Sequence, residues 1–84
     1  MYPNPFRIGG TATMDVSVKA GEKAEVQIYN SRGQVLRTMN LSEGFHHLNW
    51  DGTDNKGTSC SSGTYFYRIS SPSINQTRKL MLIK

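Results

Sequence analysis

Oxygen-bearing side chains cluster in the middle of the chain, where they could bind a metal ion. Four of them lie between positions 51 and 55: Asp51, Thr53, Asp54 and Asn55. Such closely spaced ligands suit a hard cation such as Ca²⁺, but Lys56 stands where an EF-hand loop requires glycine, and no bidentate glutamate follows. The alternative is an Asx-rich hairpin loop whose side chains hydrogen-bond to its own backbone. The sequence favours this loop, and calcium binding by the Asp51-Asp54-Asn55 segment stays an open alternative.

The residues that could ligate a transition metal or act as nucleophiles are few. His46 and His47 are adjacent, so a strand directs them to opposite faces and they cannot bind one metal together. We expect His46 to be partly buried beside Trp50. Cys60 is the single cysteine, which excludes a disulfide within the chain. We interpret it as a small residue in a turn, because a catalytic thiol needs a partner that lowers its pKa.

No arrangement of carboxylates or hydroxyls indicates catalysis. The acidic residues alternate outward on predicted strands or lie in predicted turns, and no serine stands in a G-x-S-x-G pattern. We therefore predict that the chain is not an enzyme and has no catalytic, metal-binding or cofactor-binding residues. One binding alternative rests on aromatic side chains that could stack on a sugar: Tyr29, Trp50, Tyr65, Phe66 and Tyr67. In a sandwich such residues more often form core and cross-strand pairs.

The elements that position these residues are predicted to be short strands. Apolar and polar residues alternate in segments bounded by turn residues, which favours a β-sandwich or barrel with no helix. The predicted strands cover 13–19, 24–29, 34–40, 45–50, 63–69 and 77–84, with the tightest hairpin at 30–33. The opening Tyr2-Pro3-Asn4-Pro5-Phe6 is a rigid extended segment or turn, because proline fixes φ and disfavours helix in its predecessor. The apolar run 80–83 suits a strand covered on both faces, or one that pairs late.

Length and charge exclude several classes of protein. The 84 residues suffice for one domain, and the +4 net charge comes from cations that are spread along the chain, which argues against a nucleic-acid partner. No run approaches the ~18–20 apolar residues of a membrane helix, so stable membrane insertion is not expected. The first residues lack the basic and apolar regions of a signal peptide. If the protein is exported, its targeting signal must therefore lie on a preceding domain.

Five segments in order resemble the type A C-terminal sorting domain of the type IX secretion system of Bacteroidota. They are YPNPF (2–6), VQIYNSRGQVL (26–36), GFHHLNWDGTDNKG (44–57), SSGTYFYRI (61–69) and RKLMLIK (78–84). His47 replaces the small polar residue that is more usual there, and Cys60 lies in a variable loop. The residues that carry the resemblance, termed the motif residues below, are Tyr2, Pro3, Asn4, Pro5, Phe6, Gly33, Gly44, Trp50, Asp51, Gly52, Gly63, Tyr65, Tyr67, Lys79, Leu80, Leu82 and Lys84.

The resemblance implies an all-β, immunoglobulin-like antiparallel sandwich of about seven strands. It implies that residues 1–84 are a single C-terminal sorting domain, excised from a longer secreted protein. Its partners would be an outer-membrane translocon, a shuttle protein and a sortase. The cargo would cross the periplasm and reach the cell surface or the medium, after cleavage or surface attachment. The related immunoglobulin-like domain of the flagellar hook-capping protein supports a purely structural alternative, and a carbohydrate-binding accessory domain is another.

The same reasoning predicts which residues are buried and which can be recognised. The core is expected to contain Val26, Ile28, Leu48, Trp50, Tyr65 and Tyr67. Segment 78–84, predicted to be a strand at a sheet edge, is the expected recognition element, because an edge strand can be recognised through its backbone hydrogen bonds. A dimer formed by exchange of a terminal strand is expected to be possible in the isolated domain.

Overall fold

Two facing sheets make up the molecule. The computed structural model describes residues 2–83, and Met1 and the predicted motif residue Lys84 lie outside them. The seven strands are Phe6–Arg7 (β1), Ala12–Val18 (β2), Ala24–Asn30 (β3), Val35–Leu41 (β4), Gly44–Trp50 (β5), Gly63–Ser70 (β6) and Asn75–Ile83 (β7). Within residues 2–83, no helix has the length and hydropathy needed to cross a bilayer.

The larger sheet has the strand order β1-β7-β6-β3-β4, and the smaller one pairs β2 with β5. Every pairing is antiparallel except that of β1 with β7, where Phe6 and Arg7 run parallel to Leu82 and Ile83. The predicted sandwich is therefore confirmed, with one parallel pair that the sequence did not indicate. The strand at 6–7 was likewise not predicted, and β7 begins two residues earlier than the expected 77.

Alternating side chains decide which face of each strand is buried. In β2 the residues Ala12, Met14, Val16 and Val18 are all buried, and in β3 the same holds for Ala24, Val26 and Ile28. Because successive side chains of a strand point to opposite faces, these strands bury one face and leave the other accessible. Five of the six predicted core residues are buried, and the sixth, Leu48, is partly buried and packs against the core cluster.

The hairpin between β3 and β4 forms as the sequence predicts. The Gly33 amide donates to the Asn30 carbonyl at 3.0 Å, and Gly33 has φ +84°. The Asn30 side-chain oxygen accepts from the Arg32 and Gln34 amides, each at 3.0 Å. Glycine is required here because a Cβ disfavours the left-handed region.

The C-terminal strand departs from the prediction that it lies at a sheet edge. β7 lies between β1 and β6, so its terminal half has backbone partners on both sides. Its apolar run is also not covered on both faces. Leu80 and Leu82 are buried in the core, whereas Met81 points to the outer face and is 40% exposed. The expectation of a free edge was wrong because the N-terminal segment, which lies at the other end of the sequence, occupies that edge.

Candidate functional site

The N-terminal residues 2–8 form a segment, here called the strap, that lies along one side of the sandwich and bends at residues 3–5, where the peptide bonds before Pro3 and Pro5 are cis. Its first residue, Tyr2, exchanges two backbone hydrogen bonds of 2.8 Å with Thr13, which belongs to β2 of the smaller sheet. Its last residue, Ile8, donates from its amide to the Ile83 carbonyl at 2.6 Å. The strap therefore links the smaller sheet to the C-terminal strand. The opening motif was predicted to be an extended segment or a turn, and the structure has bends at residues 3–5 followed by the short strand β1.

Asn4 holds the middle of the strap against β7 with its side chain. Its Nδ2 donates to the Lys79 carbonyl and its Oδ1 accepts from the Met81 amide, both at 3.0 Å. The neighbouring Pro3 and Pro5 have no backbone N–H to donate. The Asn4 amide therefore supplies both a donor and an acceptor, as a peptide group of a neighbouring strand would. This gives the asparagine between two prolines a structural role.

An aromatic cluster joins the strap to the core. The Trp50 ring lies 5.5 Å, centroid to centroid, from both Phe6 and Tyr65. Trp50 is fully buried, and its Nε1 donates to the Thr53 carbonyl at 2.7 Å. The Tyr65 hydroxyl donates to the Ser61 carbonyl, four residues upstream. This contact resembles the tyrosine corner of immunoglobulin-type sandwiches, in which a tyrosine near the start of a strand bonds to upstream backbone.

Gly52 lies where the loop after β5 approaches the chain ends. It has φ +82°, and a Cβ placed there would lie 3.6 Å from Leu82 Cδ2 and 3.9 Å from Phe6 Cε2. Its carbonyl accepts from the Cys60 amide at 2.8 Å. These distances are ordinary van der Waals contacts, so a methyl group would fit at this position. The reason for glycine is therefore its positive φ, which residues with a Cβ disfavour.

In the loop of Asp51 to Asn55, both carboxylates accept hydrogen bonds from nearby residues of the same loop. Asp51 Oδ1 accepts from the Thr53 amide at 3.1 Å and from its hydroxyl at 2.5 Å. Asp54 Oδ1 accepts from the Lys56 and Thr58 amides at 2.9 and 3.0 Å. The hydrogen bond from Thr53 is the main reason that the pKa of Asp51 lies below its usual range. These bonds agree with the Asx-loop interpretation.

The same loop also covers the outer edge of β4. The Asn55 amide donates to the Leu36 carbonyl at 2.9 Å. Arg37 Nη1 donates to Thr53 Oγ1 at 3.3 Å and to the Asp54 carbonyl at 3.4 Å. The segment is not a simple hairpin between neighbouring strands, because β5 and β6 belong to different sheets. No group of three or more metal-ligating side chains occurs within residues 2–83.

The two histidines point to opposite faces, as predicted. His46 is half-buried, with Nε2 2.7 Å from the Ser42 carbonyl oxygen, while His47 Nδ1 lies 2.6 Å from Asp15 Oδ1 on the exposed face. The Tyr2 hydroxyl donates to the other Asp15 oxygen at 3.1 Å. The hydrogen bond with His47 is the largest cause of the lowered pKa of Asp15, and the bond to Asp15 raises the pKa of Tyr2. Asp15 was missed by the sequence analysis, since outward acids on strands carry no local signal.

Cys60 was predicted to be a small residue in a turn; it lies in the loop between β5 and β6 and is half-buried against the core. Burial is the largest cause of its raised pKa, and the nearby Asp54 and Asp51 carboxylates raise the pKa further. A raised pKa keeps the thiol protonated at neutral pH, which does not suit a nucleophile.

The predicted sugar platform is divided between two faces. Trp50, Tyr65 and Tyr67 are buried in the core, and only Tyr29 and Phe66 remain on the outer face of the larger sheet, with centroids 5.9 Å apart. A five-residue stacking surface therefore does not form.

The motif residues fall into three groups. Those brought together around the aromatic cluster are Phe6, Trp50, Gly52, Tyr65, Leu80 and Leu82. Those on the surface are Tyr2, Pro3, Asn4, Pro5, Asp51 and Lys79. The remaining described residues lie apart: Gly33 in the first hairpin, Gly44 and Gly63 at the starts of β5 and β6, and Tyr67 in the middle of β6. Most of the motif residues therefore lie in, or pack against, the N-terminal and C-terminal segments of the chain.

The arrangement of strands defines an immunoglobulin-like sandwich. In the standard lettering of immunoglobulin strands, β2 and β5 correspond to the paired strands B and E. The strands β7, β6 and β3 correspond to G, F and C of the facing sheet, and β4 adds one more strand beside C. The chain belongs to the FlgD Ig-like domain family, whose sequence profile matches residues 4–73. This confirms the predicted relationship with a hook-cap type of domain.

Comparison with known proteins adds one structural relative. Part of PorZ, described as an essential bacterial surface component of the type-IX secretion system of Porphyromonas gingivalis, matches 99% of this chain with a TM-score of 0.69. The two sequences are 21% identical, so the match shows a shared fold, and the chain spans only 11% of the PorZ chain. A search of curated proteins found no significant match.

Proposed function

We propose that the chain is a non-catalytic C-terminal sorting domain that directs a preceding cargo across the outer membrane through the type IX secretion system. The observation that carries this proposal is the match of nearly the whole fold to part of a surface component of that system. The five ordered segments that resemble the sorting-domain motifs support it independently. In this proposal the partners are the translocon, a shuttle protein and a sortase, and the cargo ends at the cell surface or in the medium.

The surface that these partners recognise would be the strap together with the outward side chains of β7. A free β7 edge is not available over the part that the strap covers, because Asn4, Phe6 and Ile8 already bond or pair there. Leu80 and Leu82 are also inaccessible, since both are almost completely buried. Lys79 and Met81 face outward on the same strand and are exposed. Recognition through side chains therefore agrees better with the fold than addition of a strand.

A secretion assay tests the proposal. A signal peptide and a fluorescent reporter are fused before this chain in a Bacteroidota host, and cells are fractionated. We expect the reporter at the surface or in the medium, and we expect its loss from both in a translocon mutant. The control fusion lacks this chain and should remain in the periplasm.

Paired substitutions on β7 then test the recognition surface. Lys79→Glu with Met81→Ser changes only outward side chains, whereas Thr77→Ala changes another outward side chain of the same strand. We expect the first variant to lose export and the second to keep it, with both showing the wild-type circular dichroism spectrum. Full export of a folded Lys79→Glu, Met81→Ser variant would remove this surface from the proposal.

The second candidate function is a structural immunoglobulin-like module, and membership of the FlgD Ig-like domain family favours it. Such a module would space or cap an assembly without directing export. A reporter that stays in the periplasm while attached to a folded domain would support this function over the sorting role.

A further inference from the structure

The outer edge of β2 is paired at a single position. On its other side β2 pairs with β5 along its whole length, and the two strands form a sheet of their own. On the outer side Tyr2 of the strap pairs with Thr13 in an antiparallel bridge, exchanging both backbone hydrogen bonds. Beyond Thr13, no residue within 2–83 pairs with this edge. The strap therefore supplies the end of a third strand for the smaller sheet and leaves the rest of the edge open.

The Tyr2–Thr13 bridge fixes which backbone groups face the open edge. In an antiparallel pair, the N–H and C=O groups of successive residues point alternately to the two sides of the strand. Thr13 directs both of its groups to Tyr2. Asp15 and Ser17 therefore direct theirs to the same outer side, while the residues between them face β5. Within residues 2–83, neither Asp15 nor Ser17 has a backbone hydrogen bond on that side.

The bridge also fixes the direction in which the strap would continue. Because it is antiparallel, pairing that extends before Tyr2 must proceed along β2 after Thr13. A preceding segment that keeps this pairing would run past Asp15 and then Ser17. The Tyr2 side chain holds the end of the strap in this position, because its hydroxyl donates to Asp15 Oδ2 at 3.1 Å.

A cleft of about 260 Å³ lies beside the open edge, between β2 and β7. Met14, Tyr67 and Ile69 form the apolar part of its lining, and Gln76 and Arg78 lie on the β7 side. The Met14 side chain is buried on the inward face of β2. A strand added beside β2 would therefore direct alternate side chains to the face on which the cleft lies.

We propose that this edge of β2 binds the polypeptide segment that precedes Tyr2 when the domain is joined to its cargo. The segment adds a strand antiparallel to β2, as extended peptides do at exposed sheet edges. Its backbone bonds to Asp15 and Ser17, and its alternate side chains cover the cleft. Because the segment is joined to the strap, it is held beside the edge at a high effective concentration, which favours it over a separate polypeptide.

This inference rests on the proposed function only in requiring that a segment precedes Tyr2. It adds where the cargo would leave the domain. The linker would run along β2 in the opposite direction, so the cargo would lie beyond Val18, at the end of the sandwich that carries the turn between β2 and β3.

Amide hydrogen exchange of the whole chain, carrying four added residues before Met1, tests the pairing. The test extension is Val-Thr-Val-Thr. The register places its valines inward, opposite Val16 and Val18, and its threonines outward, opposite Asp15 and Ser17. Relative to the unextended chain, we expect exchange of the Asp15 and Ser17 amides to slow roughly tenfold or more and the urea midpoint to rise.

Two matched extensions separate strand pairing from a general apolar effect. Thr-Val-Thr-Val has the same composition with the two faces exchanged. We expect a smaller rise of the midpoint, because a shift by one residue turns the apolar side chains outward. Val-Pro-Val-Pro keeps both valines but lacks the two N–H groups that would donate to the Asp15 and Ser17 carbonyls, so we expect no protection.

The proposal is wrong if Asp15 and Ser17 exchange equally fast with and without Val-Thr-Val-Thr, or if all three extensions raise the midpoint equally. It is also wrong if the unextended chain protects these amides more strongly at higher protein concentration, because a second copy would then be the occupant. The exchange measurement uses purified protein and requires no export. A failure of the secretion assay therefore leaves the pairing standing, and the absence of pairing leaves the sorting role untouched.

Discussion

At the scale of single residues, the exposed Tyr2–Asp15–His47 network connects the strap to the smaller sheet. His47 and Tyr2 each bond one oxygen of the Asp15 carboxylate. The contact makes the charged form of Asp15 favourable in the folded state, which is why its pKa lies below the ordinary 3.8. Stability from this network is therefore fully present above the unfolded-state pKa and is lost as the pH falls through the folded-state pKa.

We accordingly expect Asp15→Asn to lower the urea midpoint at pH 7, and we expect this difference to shrink as the pH falls through the folded-state pKa of Asp15. His47→Ala should show the same pH dependence, because it removes the main cause of the lowered pKa. The double variant should then add little to either single one. A midpoint difference for Asp15→Asn that stays constant as the pH is lowered into the acid range would contradict the charge-based account.

A second residue-scale expectation concerns Trp50. Replacement by Phe removes the Nε1 donor, leaves the Thr53 carbonyl without that partner and opens space beside Phe6 and Tyr65. We expect a loss of about 2–3 kcal/mol in the free energy of unfolding, measured by urea titration with circular dichroism. The control is Phe45→Leu on the same strand, which is 71% exposed and should change stability by less than about 0.5 kcal/mol. Equal effects of the two substitutions would show that the aromatic cluster does not stabilise the fold.

At the scale of elements, the strap determines whether the edge of β7 can pair with a strand from another chain. β1 supplies only two paired residues, and Asn4 supplies two further hydrogen bonds from its side chain. Replacement of Asn4 by Asp keeps the acceptor for the Met81 amide but places a carboxylate oxygen opposite the Lys79 carbonyl. The strap should therefore loosen around residues 79–81.

Amide hydrogen exchange measures that loosening. We expect faster exchange of the Met81 amide in Asn4→Asp and a stability loss of about 1–2 kcal/mol, the typical effect of a lost and unfavourable polar contact. Asn40→Asp, on the outward face of β4, is the matched change and should leave exchange at Met81 unaltered. Unchanged protection in Asn4→Asp would mean that the strap does not hold this part of β7.

At the scale of the whole molecule, the two ends of the chain complete one core. Phe6 pairs with Leu82, and both are almost fully buried beside Trp50. Removal of residues 1–8 would uncover apolar surface and the backbone of β7 at the same time. Unpaired strand edges are templates for pairing with another chain.

We therefore expect the truncated chain to be less stable and to form dimers through the uncovered edge, as shown by light scattering after size exclusion. A synthetic peptide of residues 1–8 should restore the monomer and raise the urea midpoint. The same peptide with Phe6→Ala should not, because it lacks the side chain that fills the core. A truncated chain that stays monomeric at millimolar concentration would also count against the expected strand exchange between copies of the intact chain.

Much of the fold was accessible from local patterns. The alternation of apolar and polar residues located six strands to within about two residues, because the period of a strand is a property of neighbouring residues. The Asn30–Gly33 hairpin and the buried face of β3 were predicted for the same reason. Val35 is an apolar residue of β4 that is 49% exposed, and it pairs with Tyr29 just beyond the register shift between β3 and β4.

The candidate site was less predictable, because its parts come from distant positions in the chain. The motif residues were identified from their resemblance to a family, but nothing local indicated that Asn4 would bond to the backbone at Lys79 and Met81. The Glu22 carboxylate likewise accepts a hydrogen bond from Ser73, which is 51 positions away.

The sequence by itself determined the class of fold, the strands with their buried faces and the turns that need glycine, all of which follow from neighbouring residues. The tertiary structure alone decided that the strap covers the last strand and that Leu80 and Leu82 are buried in the core. The physical reason is that strand pairing across the whole chain is set by which edges and apolar faces remain unpaired after the local elements form.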